Sequence, residues 1–334
     1  MFLKKPKYEL CKRARIFLGT KCSSVCPFCY YRNDEKYFHS PSTIRSYIDN
    51  VYRLGFVSVD FTGGEPLEYP YLQDLLKISK SYNLETGLVT QYFDVDKLLL
   101  IKDVLDDIVV SYHTVIYNKR FMRQHVEDFL HAVYSLFPFV RINITLHSQI
   151  NLENLFWLLD LIKQLDKKKI QVNIHPFNYW ANTQHKVDRH KLLYNLWYQV
   201  LHKLLDMNHV EVNVKYVPFC ILRDHLHVVN GLYQHLYDIR DWYPDYDCVT
   251  YKEIYPNLED YAINYIHFNK FAYRFYTQAC YKCQLLPICE GIQKGTKDLF
   301  FVKPINTLGS YVYDPMHFRY NKNYTITHKV RYDE

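Results

Sequence analysis

Apolar and polar positions along the chain follow two periods, one typical of strands and one typical of helices. Short alternating or continuously apolar segments predict strands at residues 13–19, 57–61, 86–90, 108–112, 140–146, 170–175 and 210–217. Segments with an apolar residue every three or four positions predict helices at residues 43–54, 71–82, 121–137, 152–165 and 183–208. Strands separated by helices of this length predict an α/β fold with a parallel sheet.

The regular alternation of strands and helices ends near residue 208. Beyond the last predicted strand, aromatic residues, turn residues and cysteines replace it. We therefore expect two units, residues 1–208 with the sheet and residues 209–334 with a smaller cysteine-bearing fold. A chain of 334 residues that is 49% hydrophobic is long enough to bury both cores.

Three cysteines, Cys22, Cys26 and Cys29, follow the first predicted strand with the spacing C-x3-C-x2-C. A closed cubic 4Fe-4S cluster takes four cysteines. No fourth cysteine is near, so one iron of such a cluster would stay open to a ligand. The alternatives are a chance group of thiols or a structural zinc site, which usually brings four Cys or His ligands.

A second motif, Gly63-Gly64-Glu65-Pro66, follows the second predicted strand. Glycines let the backbone approach a ligand closely, and a carboxylate beside main-chain oxygens suits a cation. Taken alone the motif predicts only a turn. Its place after the cysteine loop makes it part of the same predicted site.

The cysteine loop and the GGEP turn together resemble the radical S-adenosylmethionine (radical SAM) superfamily. The resemblance implies a partial (β/α)6 barrel, with reactive groups at the C-terminal ends of the strands. It implies that SAM chelates the open iron through its amino and carboxylate groups. An electron from the cluster then splits the sulfonium, and the resulting 5′-deoxyadenosyl radical takes a hydrogen atom from the substrate.

The same resemblance assigns the SAM-binding positions. Phe28 matches an aromatic residue that packs near the adenine, and backbone atoms around Tyr30 are expected at the adenine edge. The turn from Gly63 to Pro66, with the Glu65 side chain, is expected to hold the ammonium group. Ser111 ends the fourth strand and matches a serine that touches the ribose or the carboxylate.

Other strand ends supply further polar candidates, which are either interior site residues or satisfied polar groups. They are Thr90, Gln91, Asn143, Thr145, Asn173 and His175.

A second cysteine group, Cys280, Cys283 and Cys289, has the spacing C-x2-C-x5-C. It resembles the auxiliary-cluster segment of SPASM and twitch domains, which follow many radical SAM barrels. Gln293 and Leu236 stand where a full SPASM pattern has cysteines, so the resemblance implies a single auxiliary iron–sulfur cluster. A zinc ribbon built from the same thiolates is the alternative.

The fourth auxiliary ligand is a choice between two cysteines. Cys220 ends a predicted strand, and the spacing to Gly231 resembles the first half of the SPASM hairpin, so Cys220 is the predicted ligand. Cys248 has no matched counterpart. It is predicted to be either a hydrogen-atom donor to a substrate radical or a thiol without a role.

Composition narrows the compartment and the partners. An odd number of cysteines, 9, favours metal binding in a reducing compartment over disulfides. No secretory signal or run of about 18 apolar residues is visible, so we expect a cytoplasmic protein without a membrane span. The net charge of +6 neither demands nor excludes an anionic partner. A nucleic-acid partner is not expected, because the sequence shows no basic tract and no recognised RNA-binding motif.

The expected partners are SAM, an electron donor such as flavodoxin or ferredoxin, and a substrate. SPASM and twitch enzymes most often modify peptides or protein side chains, whereas others act on sugars or small metabolites. Only about twenty residues precede Cys22, too few for a leader-binding module, so we expect either a separate leader-peptide-binding protein or a small substrate. Of the two substrate classes a peptide is preferred. A zinc-binding protein and an iron–sulfur electron carrier are the non-catalytic alternatives, but neither has a use for the GGEP turn.

Overall fold

The computed structural model describes residues 9–24, 26, 29, 31, 33–112, 123–146, 151–165, 170–176, 190–237, 274–293 and 303–320. Within these residues seven strands form one sheet, every neighbouring pair is parallel, and the order across the sheet follows the chain. This confirms the predicted α/β class. The strands are β1 (Arg13–Phe17), β2 (Ser58–Thr62), β3 (Glu85–Thr90), β4 (Asp107–Tyr112), β5 (Val140–Leu146), β6 (Ile170–Pro176) and β7 (Val210–Val214).

Helices connect the strands of the sheet. Asp94 caps a short helix that the hydrophobic pattern does not predict, accepting from Lys97 N at 3.0 Å. With 7 residues, this helix is too short to show a clear helical period. No described helix is both long enough and apolar enough to cross a bilayer. The helices are α1 (Pro41–Arg53), α2 (Leu72–Ser81), α3 (Val95–Ile101), α4 (Arg123–Leu136), α5 (Leu152–Gln164), α6 (His190–Leu205) and α7 (His317–Tyr320).

Strand β7 adds a seventh strand to the six expected in the barrel. It pairs in parallel with β6, from Ile170↔Val210 to Ile174↔Val214. The strand lies beyond residue 208, where the boundary between the two units is predicted. That boundary stays a prediction, but the residues just after it belong to the sheet.

A segment that we call the strap, residues 219–237, runs between the two edges of the sheet. Beside β7, Asn230 N donates to Val214 O at 2.8 Å. Just before β1, Cys11 N donates to Leu236 O at 2.7 Å. The strap therefore links β7 to the residues just before β1, with one backbone hydrogen bond at each edge of the sheet.

One face of the sheet is apolar and the other is polar, although both are buried. On β5, Ile142 and Ile144 belong to the hydrophobic core that the helices cover, whereas Arg141, Asn143 and Thr145 point to the opposite face. The polar face is the interior of the partial barrel. A buried polar surface is stable only where its groups are paired.

Four charged side chains lie near the N-terminal ends of the strands on this polar face: Arg13, Asp60, Asp107 and Arg141. Arg13 Nη1 lies 2.8 Å from Asp60 Oδ1 and 3.1 Å from Asp107 Oδ2. Arg141 Nη2 contacts Asp107 and lies 3.6 Å from Asp60 Oδ2. Burial works to lower the pKa of Arg13, but the two carboxylates outweigh it and hold this pKa above its ordinary value. The pairing of opposite charges closes this end of the barrel.

Gly87 of β3 makes room for these four charges. A Cβ there would lie 1.8 Å from Asp60 Oδ1, so Gly87→Ala must displace a buried, paired carboxylate. We expect the free energy of unfolding, measured by chemical denaturation, to fall by about 2–3 kcal/mol.

Ser58→Ala on the neighbouring strand is the matched control. The Ser58 hydroxyl is buried and has no hydrogen-bond partner in the described part of the chain. Its removal should change the free energy of unfolding by less than about 1 kcal/mol. Equal losses in the two variants would contradict the role given to Gly87.

Candidate active site

The loop after β1 carries the three clustered cysteines. Cys26 is buried, Cys22 and Cys29 are partly buried, and Cys29 N donates to Cys26 O at 3.1 Å. Because the sheet is parallel, this loop lies where the strands end. Phe28 and Tyr30, which are expected at the adenine, lie outside the described residues.

The GGEP turn after β2 is bound to the cysteine loop by its backbone. Gly64 N donates to Gly19 O at 2.7 Å, and Glu65 N donates to Lys21 O at 2.9 Å. A Cβ at Gly64 would lie 1.9 Å from Lys21 O. Gly63 has φ of +135°, a conformation that favours glycine. Both glycines are therefore required for the two loops to touch.

The Glu65 carboxylate is buried between its own loop and the end of β3. Oε1 accepts from Leu67 N at 3.0 Å and from Thr90 Oγ1 at 2.6 Å, and Oε2 accepts from Gln91 N at 3.0 Å. Burial raises the pKa of Glu65 to about 7, even though these hydrogen bonds work in the opposite direction. The carboxylate thus ties the GGEP turn to the end of β3. Its direct contact with the SAM ammonium stays a prediction.

Gln91, at the end of β3, contacts two of the three thiols. Its Nε2 donates to Cys22 Sγ at 3.3 Å, and its Oε1 accepts from Cys26 Sγ at 3.1 Å. Ser24 N also donates to Cys22 Sγ, at 3.4 Å. Burial raises the pKa of Cys22, while the hydrogen bonds from Ser24 and Gln91 act to lower it. From the sequence, Gln91 is predicted only as a polar residue at the end of a strand. No sequence pattern around Gln91 indicates that its amide contacts two cysteines.

Ser111 lies on the polar face of β4, with Asn143 of β5 as its register partner. Asn173 Nδ2 donates to Asn143 Oδ1 at 2.9 Å, and Asn213 Nδ2 donates to Asn173 Oδ1 at 3.1 Å. The sequence prediction includes the first two asparagines and omits Asn213. A repeated signal marks all three, because each Asn stands between β-branched residues: Ile-Asn-Ile, Val-Asn-Ile and Val-Asn-Val.

His175, the other candidate on β6, lies beside Tyr216 with a ring-centroid distance of 5.6 Å. Tyr216 follows β7 and has φ of +64°, which is rare for a bulky residue and marks a constrained position. The Arg274 guanidinium lies over the Tyr216 ring, 5.8 Å from its centre. These three side chains lie where the end of the sheet meets the C-terminal unit.

The second cysteine group meets Cys220 in one cavity. Cys220, Cys280, Cys283 and Cys289 line it together with Phe219, Leu285 and Ile292 among other apolar residues. Short strands β8 (Arg274–Phe275) and β9 (Ile292–Gln293) pair on either side of the cysteine segment. Cys248 lies outside the described residues.

Donors surround the sulfur atoms of this cavity. Ile305 N donates to Cys283 Sγ and Gly291 N donates to Cys289 Sγ, each at 3.3 Å. Thr277 Oγ1 lies 3.3 Å from Cys280 Sγ. Burial raises the pKa of Cys220 to about 11 and that of Cys289 to about 12. Thiols in such surroundings become thiolates when a bound metal supplies the positive charge.

A single metal ion has no ready site in the part of the chain that the structure describes. Within it, no group of three or more His, Cys, Asp or Glu side chains has the arrangement of a one-ion site. None of the described cysteines forms a disulfide.

The model of the radical SAM superfamily matches residues 16–162. This span includes the first cysteine group, the GGEP turn, Gln91 and Ser111. Residues 16–162 thus match a radical SAM domain, and members of that superfamily are enzymes that use a 4Fe-4S cluster and SAM.

A solved structure shares the fold of this chain. SuiB from Streptococcus suis bound to S-adenosylmethionine aligns with a TM-score of 0.55 at 16% identity, over 86% of this chain and 74% of SuiB. A second SuiB structure gives 0.48 at 17% identity, over 62% of this chain and 49% of SuiB, so in that alignment the chain spans about half of its relative. Native anSMEcpe with bound AdoMet and Cp18Cys peptide gives 0.49 at 13% identity, over 93% and 97%.

The buried carboxylate of the radical SAM domain yields a test of the SAM site. Glu65→Ala removes the acceptor for Leu67 N, Gln91 N and Thr90 Oγ1. We expect SAM affinity, measured by calorimetry on anaerobically reconstituted protein, to fall about tenfold because the GGEP turn loses its anchor. Iron content should not change.

Glu85→Ala, which removes an exposed carboxylate from the same sheet, is the control. It should bind SAM as the wild type does. Unchanged SAM affinity in Glu65→Ala would remove the buried carboxylate from the SAM site.

Proposed function

We propose that this chain is a radical SAM enzyme that abstracts hydrogen from a peptide or protein side chain. Cys22, Cys26 and Cys29 would hold a 4Fe-4S cluster, and the turn from Gly63 to Pro66 would bind SAM together with Ser111. Cluster and SAM together would supply one-electron chemistry, namely a 5′-deoxyadenosyl radical, from reductive cleavage of the sulfonium, that can abstract a hydrogen atom.

The observation that carries this proposal is the joining of the cysteine loop to the GGEP turn. Two backbone hydrogen bonds hold the loops together, at 2.7 and 2.9 Å, and Gln91 contacts both Cys22 and Cys26. Three cysteines in one loop, two of them in contact with one amide, are the number of ligands that a cluster with one open iron requires. The contact between the loops supports a cluster site beside the turn that we propose for the SAM ammonium.

The residues proposed for the SAM site would bind SAM and hold it in a fixed orientation. Glycine at positions 63 and 64 lets the turn pack against the cysteine loop, and the Glu65 carboxylate caps the short helical turn that begins at Pro66. Ser111 supplies a hydroxyl from β4. Phe28 and Tyr30 stay predictions for the adenine.

For the second group of thiols we propose one auxiliary iron–sulfur cluster with Cys220 as the fourth ligand. The shared cavity of Cys220, Cys280, Cys283 and Cys289 supports this assignment, as do the backbone N–H groups that face the sulfurs. Hydrogen bonds to cluster sulfurs are a usual means of tuning reduction potential. Cys248 would then be free for hydrogen-atom donation or have no role.

The C-terminal cysteine pattern supports a peptide or protein side chain as the substrate, through its resemblance to SPASM and twitch segments. A flavodoxin or ferredoxin would deliver the electron, and a separate protein would bind a leader peptide. The absence of disulfides among the described cysteines supports a reducing compartment, and we propose the cytoplasm.

The first cluster can be tested by replacing Cys22, Cys26 and Cys29 with Ala together. We expect a folded protein, since the hydrophobic core lies beneath the sheet and not in this loop. Release of 5′-deoxyadenosine from SAM under dithionite, measured by chromatography, should disappear. Cys11→Ala serves as the control and should retain cleavage; cleavage by the triple variant would refute the assignment.

Iron counting tests the auxiliary ligands. The wild type should hold about eight irons if both sites carry a four-iron cluster. Cys220→Ala should lose much of the auxiliary iron, while Cys248→Ala and Cys11→Ala should lose none. Loss in Cys248→Ala with full iron in Cys220→Ala would exchange the two roles, and stoichiometric zinc in place of auxiliary iron would favour a zinc ribbon.

A further inference from the structure

Three asparagines form one hydrogen-bonded row across the interior of the barrel. Asn143, Asn173 and Asn213 stand at the same level in the register of β5, β6 and β7. Their exposed fractions are 6%, 2% and 1%. Asn213 Nδ2 donates to Asn173 Oδ1 at 3.1 Å, and Asn173 Nδ2 donates to Asn143 Oδ1 at 2.9 Å.

Arg319 of α7 sets the direction of this row. Its Nη2 donates to Asn213 Oδ1, and its Nη1 donates to the backbone oxygens of Val212, at 3.4 Å, and His227, at 3.3 Å. An arginine side chain can only donate. Asn213 must therefore turn its oxygen to Arg319 and its Nδ2 to Asn173, and the next amide repeats that orientation.

The row ends in a donor that the protein does not use. Asn143 turns its Oδ1 to Asn173, so its Nδ2 faces the other way, toward β4. Within the described residues this Nδ2 has no hydrogen-bond partner, and neither has the hydroxyl of its register partner Ser111. Asn143 Nδ2 and the Ser111 hydroxyl are not among the fully buried polar atoms that lack a partner, so both atoms keep some surface that a ligand can reach. Two buried groups on adjacent strands thus face the interior with hydrogen-bonding capacity to spare.

We propose that Arg319 is a positioning residue for SAM. By fixing the direction of the row, it presents Asn143 Nδ2 beside Ser111 as a donor to a carboxylate or ribose oxygen of SAM. The inference rests on the proposed function, because it requires SAM to lie against β4 and β5. It assigns a role in the barrel to a side chain of the C-terminal region, 106 residues along the chain from its partner Asn213.

Asn213→Asp reverses the row without emptying it. The carboxylate still accepts from Arg319 but has nothing to donate to Asn173. Asn173 must then turn its Nδ2 toward position 213, and Asn143 must give its own Nδ2 to Asn173. The oxygen of Asn143 then faces SAM in place of the donor.

SAM affinity is measured by calorimetry on the full-length, anaerobically reconstituted protein. We expect Asn213→Asp to weaken it about tenfold, since a donor is replaced by an opposed acceptor. Asn143→Ala should weaken binding to a similar extent. The double variant should show no further loss, because both changes act through the same contact.

The control is Asn154→Asp, which changes another asparagine that accepts from an arginine, Arg123 Nε at 3.1 Å, outside the row. It should bind SAM as the wild type does. Arg319→Lys, which keeps a side chain that only donates, should retain more affinity than Arg319→Met. Iron content and thermal unfolding are recorded for every variant.

A folded Asn213→Asp that holds its iron and binds SAM within about twofold of the wild type overturns the proposal. Should Asn213→Asp not fold, equal SAM affinity in Arg319→Lys and Arg319→Met overturns it instead. A wild-type protein that assembles no cluster and binds no SAM refutes the proposed function itself.

Discussion

The candidate site depends on a contact between two loops that leaves no room for a side chain. The loop after β1 and the loop after β2 meet backbone to backbone, through Gly64 and Gly19 and through Glu65 and Lys21. Strand pairing alone would bring these loops near each other, but only the absence of a Cβ lets them touch. The positions of the thiols, of the buried carboxylate and of Gln91 all follow from this contact.

The barrel interior meets the cost of buried polarity in different ways at different depths. Near the N-terminal ends of the strands, Arg13, Asp60, Asp107 and Arg141 neutralise one another. One level higher, asparagines satisfy one another in a row. At this same level, Asn143 Nδ2 and the Ser111 hydroxyl have no partner among the described residues. Charge pairing thus dominates the N-terminal ends of the strands, whereas hydrogen-bonded amides occupy the level above them.

The elements that local pattern can encode were predictable from the sequence. Strand period, the C-x3-C-x2-C spacing and the GGEP turn all lie within a few residues, and they place the sheet and the site at the correct end. What the sequence could not show depends on register between distant segments. Gln91 meets Cys22 across 69 positions, and Arg319 meets Asn213 across 106.

Two other differences have physical causes of their own. Helix α3 has only 7 residues and is stabilised by its Asp94 cap and by packing of its buried side chains. It is too short for its apolar residues to show a helical period in the sequence. Strand β7 looked like the start of a new unit because the residues after it change in composition. Pairing with β6 outweighs that change and keeps β7 in the sheet.

The strap affects how far the two units are separable. It joins β7 to Cys11, two residues before β1. In addition, Leu232 N of the strap donates to Ile288 O of the C-terminal cysteine segment at 2.8 Å. A Cβ at Gly231 would lie 2.8 Å from the same Ile288 oxygen. The strap that links the two edges of the sheet therefore also contacts the C-terminal cysteine segment. A chimera that exchanges the C-terminal unit at residue 208 would remove β7 and the strap from the sheet. To exchange the C-terminal unit between relatives, the junction must therefore be chosen from the backbone hydrogen bonds and not from the change in composition.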